Sequence, residues 1–287
     1  MKKIGFIDYY IDEWHANNYP KMIRELPGFK GKFDVVLAWE EISKPGKKRI
    51  DEWCREQKVK QAPDIATVVD QCDCIVVLSP DNAERHEDLA DLPLRSGKPV
   101  YIDKPIAPSL AAARRLFDKA RKYGTPMMSC SALRFGSALE AAVRDKLAGQ
   151  KVNFVATRGG AEFHNYAIHQ LEMLVMTLGG GAKRVMQCGR NRNVVMVIDY
   201  DDGRRGFIHL VPDYPAFQLV AQFGDDKSLA LDNMDDFFPR FMNAMLAFLD
   251  TGKSPVPESE TLEIAALIEA GQSALKTPEN WTPVPEA

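Results

Sequence analysis

At 287 residues, the chain is long enough for one large domain or two smaller ones, each with a substantial core. Its 37 basic and 40 acidic residues leave a formal charge of −3, which argues against a nucleic-acid binder that works by neutralising phosphates. No apolar run approaches the ~20 residues of a membrane span. Asp8 interrupts "MKKIGFIDYY" before a signal-peptide core develops, and the five cysteines form no CxxC pair, so they read as reduced thiols of a cytoplasmic protein.

The first half alternates strand and helix signals. "KIGFID" is an apolar strand, and "DEWHANNYPKMIREL" is a helical stretch interrupted by Pro20. "FDVVLAW", "CDCIVVLSP" and "KPVYID" are further strands, with helix candidates at Asp64 to Asp70 and Ala83 to Leu89. Ser109 is placed to cap the helix "LAAARRLFDKARKY", which Gly124 closes. Apolar strands spaced by helices predict a doubly wound, Rossmann-like α/β domain with a parallel sheet over 1–124.

The second half, 125–287, predicts an α+β domain with a mostly antiparallel sheet. "PMMSCSALRF" and "KVNFVATRGG" read as strands, and "ALEAAVRDKL" and Asn165 to Leu178 as helices. "NVVMVIDYDDGRRGFIHLV" is a hairpin turning at Asp202-Gly203, and "AFQLVAQFGDDKSLALD" repeats the design. Two helices close the chain. "NVVMVI" is apolar on both alternating faces, so neither face is expected to meet water.

Ligands of an open parallel sheet bind beyond the carboxyl ends of its strands. Asp8, Ser79 with Pro80, and Asp103 with Lys104 end strands and should border one crevice. Lys104 precedes a proline, which restricts its backbone and raises the chance of a cis bond. It is either a ligand-edge lysine or a solvated loop residue beside a turn. On the later helix, Asn165, His169, Glu172 and Met176 share one side while Ile168, Leu171, Leu174, Val175 and Leu178 form the apolar arc. By itself, a histidine there is more often structural than catalytic.

Taken in order, these segments resemble the Gfo/Idh/MocA oxidoreductases. "GKPVYIDKPIA" is similar to that family's Glu-Lys-Pro signature, and "CDCIVVLSPDNAERHEDLA" to its strand-Pro-x-x-x-x-His stretch, with His86 at the histidine. "CSALRF" resembles its Arg-Phe strand end, with Arg134, and "NYAIHQLEMLVMTLGG" its catalytic helix. The resemblance implies a Rossmann domain followed by an antiparallel-sheet domain. It also implies an NAD(P)-dependent oxidoreductase acting on a CH–OH group of a sugar, sugar derivative or cyclitol, and a homo-oligomer, dimer or tetramer. It places Lys104 beside the substrate hydroxyl, His169 at the proton-transfer position with Asn165 orienting it, and Arg134, Tyr166 and Glu172 towards the substrate. Lys104, His169 and Asn165 are then expected to converge on one cleft.

Two positions depart from the family pattern. Asn165 stands where an aspartate is usual, which removes a charge from the support of His169. The first turn, "IDYYIDEWHA", lacks the glycines that let a backbone approach a pyrophosphate, and carries Asp8, Asp12 and Glu13 instead. These carboxylates would repel phosphates and make NAD or NADP binding weak, or serve as helix N-terminal partners. If the turn takes another path, the amides near Tyr10 and Ile11 still reach the phosphate. Glu40, ending the second strand, is placed for a ribose diol. The alternatives are a redox-inactive member that binds a sugar-like ligand, as sensor or partner subunit, and a metal-assisted isomerase or lyase using His164, His169 and Glu172. The last has no strong ligand spacing, and no metal is expected.

Overall fold

The computed structural model describes residues 1–160, 162–189, 194–213 and 216–287. The chain divides into two compact units: Met1–Ala107 with Ala112–Ser129 and Phe241–Val256, and Pro108–Ala111 with Cys130–Arg240 and Pro257–Ala287.

Six strands form the sheet of the first unit: β1 (Lys2–Asp8), β2 (Phe33–Glu40), β3 (Lys60–Gln61), β4 (Cys74–Val77), β5 (Val100–Ile102) and β6 (Met127–Met128). Every pairing is parallel, in the order β3-β2-β1-β4-β5-β6. The chain winds outward from β1 in one direction and from β4 in the other, so the switch point lies between β1 and β4. Ile4, Phe6 and Ile7 on β1 are fully buried, as a sheet covered on both faces requires. Gly5 serves packing rather than a turn. A Cβ there would lie 2.3 Å from Val68, on the helix Ile65–Gln71 that crosses β1.

The second unit carries β7 (Val152–Gly160), β8 (Arg184–Cys188), β9 (Val194–Asp199), β10 (Arg205–Val211), β11 (Gln218–Phe223), β12 (Lys227–Leu231) and β13 (Thr282–Pro283). The order is β12-β11-β7-β10-β9-β8-β13, and only the β7–β10 pairing is parallel. Helices Phe163–Leu178 and Glu258–Ala274 belong to its core, with Leu171, Leu174, Met196, Ile198 and Leu267 buried together. On β9 the side chains alternate: Met196 and Ile198 are fully buried, whereas Val194, Val195 and Val197 are half-buried. Asn193, the first residue of that expected strand, lies outside the described residues. Among the described residues no helix is long and apolar enough to cross a membrane.

Four segments differ from the sequence reading. Pro20 does not interrupt the first helix, which runs from Trp14 to Glu25 with the proline inside it. "PMMSCSALRF" yields only β6 before a 3-10 turn at Ala132–Phe135, because the Ser131 hydroxyl accepts from the Leu133 amide and turns the chain. "ALEAAVRDKL" is a short α-helix, Ser137–Ala141, that widens into a π-helical turn at Ala142–Leu147. The helix candidate from Ala83 is a 3-10 turn, Ala83–Arg85, followed by one turn at His86–Leu89.

Candidate active site

In the first unit the parallel register aligns the strand ends. Asp8 pairs with Glu40, the Leu78 amide donates to Ile7 O, and the Asp103 amide to Val77 O. Asp8, Glu40, Ser79 with Pro80, and Asp103 with Lys104 therefore share one edge of the sheet. Lys104 is buried, and its bond to Pro105 is cis. Asp103 is buried beside it, accepts from the Lys104 amide at 2.8 Å, and is paired with the His15 ring. Burial would raise the Asp103 carboxyl, but His15 and the Lys104 ammonium outweigh it and hold the group below its usual range. Ser79 ends β4 with φ +80°, in the left-handed region, and its hydroxyl donates to Asn82 O. His86 is a brace. Its ring meets Ile106 O at 2.9 Å and Leu78 O at 2.8 Å, tying the end of β4 to the segment that follows Lys104. Burial holds this imidazole below its ordinary value.

The turn after β1 is packed with side chains. Both Asp8 carboxylate oxygens are buried without a hydrogen bond of ordinary geometry, although the Tyr9 and Tyr10 amides face them. Burial, with Glu13 and Asp103 nearby, pushes the Asp8 carboxyl well above its usual range. Glu13 caps the helix Trp14–Glu25, accepting from the His15 amide at 2.7 Å and from the Ala16 amide. Burial and Asp103 push Glu13 up to about 7, against the opposing pull of His15 and the two amides. The Tyr10 hydroxyl donates to Asp81 Oδ2 at 3.0 Å, and the Lys44 ammonium lies 4.0 Å from its ring centre. Glu40 accepts from the Ile11 amide at 3.0 Å and from the Ser43 hydroxyl at 3.0 Å. Asp12 is held by the Lys48 amide and the Asn17 side chain.

In the second unit, about two turns of the helix Phe163–Leu178 bring Asn165, Tyr166, His169 and Glu172 to one side. The His169 ring meets the Ser131 hydroxyl through Nδ1 at 2.7 Å. It sits edge-on to Tyr166 and Phe217, with ring centres 5.2 and 5.7 Å away. Phe217 reaches this place across Gly159, where a Cβ would lie 2.4 Å from its ring. Below, Glu172 is buried and accepts from the Ser131 amide at 2.9 Å and from Arg134 at 2.6 Å, while Arg134 also pairs with Glu260. Burial raises the Glu172 carboxyl despite Arg134. Arg134 and Glu172 thus support Ser131 from inside the unit. Asn165 and Tyr166 are half-buried on the helix, and His164 is paired with Gln272. Among the described residues, no group of three or more His, Cys, Asp and Glu side chains is arranged to hold a metal ion. Sequence reasoning missed Ser131 as the partner of His169. The clue was its place three residues before Arg134, where a hydroxyl can cap the turn and meet the helix.

A family model described as an oxidoreductase family with an NAD-binding Rossmann fold matches residues 10–130. Over residues 10–130 the chain is thus similar to the Gfo/Idh/MocA family. Protein y4oX of Sinorhizobium fredii is 33% identical over 114 residues, 39% of this chain and 31% of its own length. A trans-1,2-dihydrobenzene-1,2-diol dehydrogenase of Xenopus tropicalis is 25% identical over 155 residues, 52% of this chain and 46% of its own. The chain thus spans about a third to a half of the curated relatives it matches. The myo-inositol dehydrogenase of Lactobacillus casei, in complex with NAD(H) and myo-inositol, shares the fold at 14% identity. Its TM-score is 0.82, over 100% of this chain and 97% of that one.

A Gfo/Idh/MocA domain implies a dinucleotide, and the turn after β1 does not fit one in the usual manner. The helix amides that would meet a pyrophosphate already donate to Glu13, and Glu40, in the ribose position, is taken by Ile11 and Ser43.

Proposed function

We propose that the protein oxidises a CH–OH group of a sugar, sugar derivative or cyclitol, with NAD or NADP as a weakly held electron acceptor. The observation that carries this reading is the oriented imidazole of His169. In the tautomer whose Nδ1–H donates to the Ser131 hydroxyl, which also accepts from the Leu133 amide, Nε2 is the basic nitrogen. Such an imidazole is suited to taking a hydroxyl proton. The Lys104 ammonium favours the alkoxide that forms as the proton leaves. The reading requires both groups to reach the same hydroxyl, with Asn165, Arg134, Tyr166 and Glu172 shaping the surroundings of His169. The dehydrogenase relatives and the Rossmann family support it. Reduced nicotinamide should appear when sugars and cyclitols are supplied with NAD or NADP, and Lys104→Met and His169→Ala should each abolish it. Turnover that survives both substitutions would refute the assignment.

A second reading has one observation in its favour. Because Glu13 already holds the helix amides, a redox-inactive protein that binds a sugar-like ligand as a sensor or partner subunit would show the same turn. Sugar binding with no dinucleotide binding under any condition would favour it. We further propose a cytoplasmic location, a reading supported by five cysteines that all stand as free thiols. We also propose that it is a dimer or tetramer. Val197, Phe207, Ala156 and Val220 make an apolar row across four strands of the second unit, and Val220 is 43% exposed.

A further inference from the structure

We propose that Glu13 and Tyr10 form an internal plug in the first unit, so that a dinucleotide binds only after the Glu13 carboxylate has left the amides of His15 and Ala16. The inference rests on the reading that this chain takes a nicotinamide dinucleotide.

Three contacts converge on the place where β1 and β4 diverge. Glu13 puts a carboxylate on the first free amides of the helix Trp14–Glu25, the same donors a pyrophosphate would use. Tyr10 reaches from the end of β1 to Asp81, beyond the end of β4, and so bars the switch point itself. Glu40 fastens the intervening Ile11 amide to the end of β2. An ordinary capping carboxylate stands in water and can swing aside. Glu13 is only 5% exposed, and it shares its surroundings with the buried carboxylates of Asp8 and Asp103.

Backbone bonds tie the turn together. The Glu13 amide donates to Ile11 O at 2.9 Å, Ile42 to Tyr9 O at 2.9 Å, and Glu41 to Asp8 O at 3.0 Å. Releasing Glu13 therefore loosens Ile11, and a dinucleotide in the crevice must also break the Tyr10–Asp81 bond. Two anions compete for one pair of donors, and the protein's own anion is tethered beside them. Asp12 takes no part, since Lys48 and Asn17 hold it elsewhere.

Calorimetric titration of the full chain with NAD and with NADP tests this, using wild type, Glu13→Gln, Glu13→Gly and Tyr10→Phe. Thermal melts report whether each variant folds; Glu13→Gln keeps one acceptor for the amides and remains informative if Glu13→Gly does not fold. The plug predicts binding at least about tenfold tighter in the Glu13 variants, a smaller gain in Tyr10→Phe, and no change in Asp12→Asn. It also predicts that saturating dinucleotide moves the carboxyl carbon resonance of Glu13 in the wild type. Micromolar wild-type binding with that resonance unmoved, or no gain in any variant, overturns the plug. Tighter binding in the variants without turnover of any sugar or cyclitol would keep the plug and refute the proposed activity. Unchanged micromolar binding with turnover would do the reverse.

Discussion

Glu13→Gln should change how stability depends on pH. Glu13 is buried, and its carboxyl is pushed from 4.5 up to about 7 by burial and Asp103, against His15 and two backbone amides. In the unfolded chain it returns to its ordinary value, so between pH ~4.5 and ~7 the folded protein holds a proton that the unfolded chain releases. Stability from this group is therefore complete below pH ~4.5 and is lost as pH rises through about 7. The gap from 4.5 to about 7 corresponds to about 3 kcal/mol at 1.36 kcal/mol per pH unit, before any relief from water entering the turn. Glutamine keeps an acceptor for the amides and carries no charge at any pH. Asp8 is raised partly by the Glu13 charge, and Asp103 faces that charge too, so its removal also eases their ionisation and adds to the variant's gain at high pH. Urea unfolding from pH 4.5 to 8 measures the Glu13 share together with this effect on its neighbours. Trp14, Trp39 and Trp53 lie in the first unit, so a Trp281→Phe background makes tryptophan fluorescence report on that unit. The two proteins should match near pH 4.5, with the variant more stable by about 1–3 kcal/mol at pH 8. A difference that stays constant across the range would refute the buried-carboxyl argument.

Ser131→Ala should lower turnover by about 10- to 100-fold through loss of ring orientation, with a shifted pH profile, and should cost about 1 kcal/mol of stability because the buried Leu133 amide loses its acceptor. A variant with an unaltered pH profile would make Ser131 merely structural. Arg134→Met leaves Glu172 buried without its cation and should destabilise the second unit by about 3–5 kcal/mol in urea unfolding, and a loss below about 1 kcal/mol would contradict the buried pair. Val220→Lys places a charge in the apolar row of the second sheet and should convert the protein to a 32.1 kDa species in sedimentation. A wild type that already sediments as that species at micromolar concentration would contradict the oligomer.

The parallel sheet was legible because its strands are short, apolar and separated by helices with clear stops, as Gly124 after Leu110–Tyr123 shows. The hairpins were legible from Asp202-Gly203 and its counterpart, since such turns are local. Less could be read where long-range partners decide. Phe241 begins a stretch that joins the first unit, with its ring 5.6 Å from Tyr101 and 6.0 Å from Tyr19, and periodicity says only that it is helical. "PMMSCSALRF" has strand composition throughout, yet the Ser131 hydroxyl and the buried Glu172 turn it after two paired residues. In the candidate site, Lys104 and His169 were singled out by the order of motifs that resembles the Gfo/Idh/MocA family, since spacing alone left a loop lysine and a structural histidine as open readings. The His15–Asp103 pair and the Ser131–His169 contact were not, because 88 and 38 residues separate the partners. The missing glycines were plain in the sequence, but that Glu13 would take their ligand's place on the helix amides depended on its burial.

The most direct test of the proposed activity is turnover of sugars and cyclitols with NAD and NADP, run on wild type and Glu13→Gln side by side. The account predicts reduced nicotinamide with at least one substrate, faster in Glu13→Gln at low dinucleotide and abolished by Lys104→Met or His169→Ala. Binding of a sugar-like ligand with no reduced nicotinamide in either protein, at dinucleotide concentrations that saturate Glu13→Gln, would contradict it.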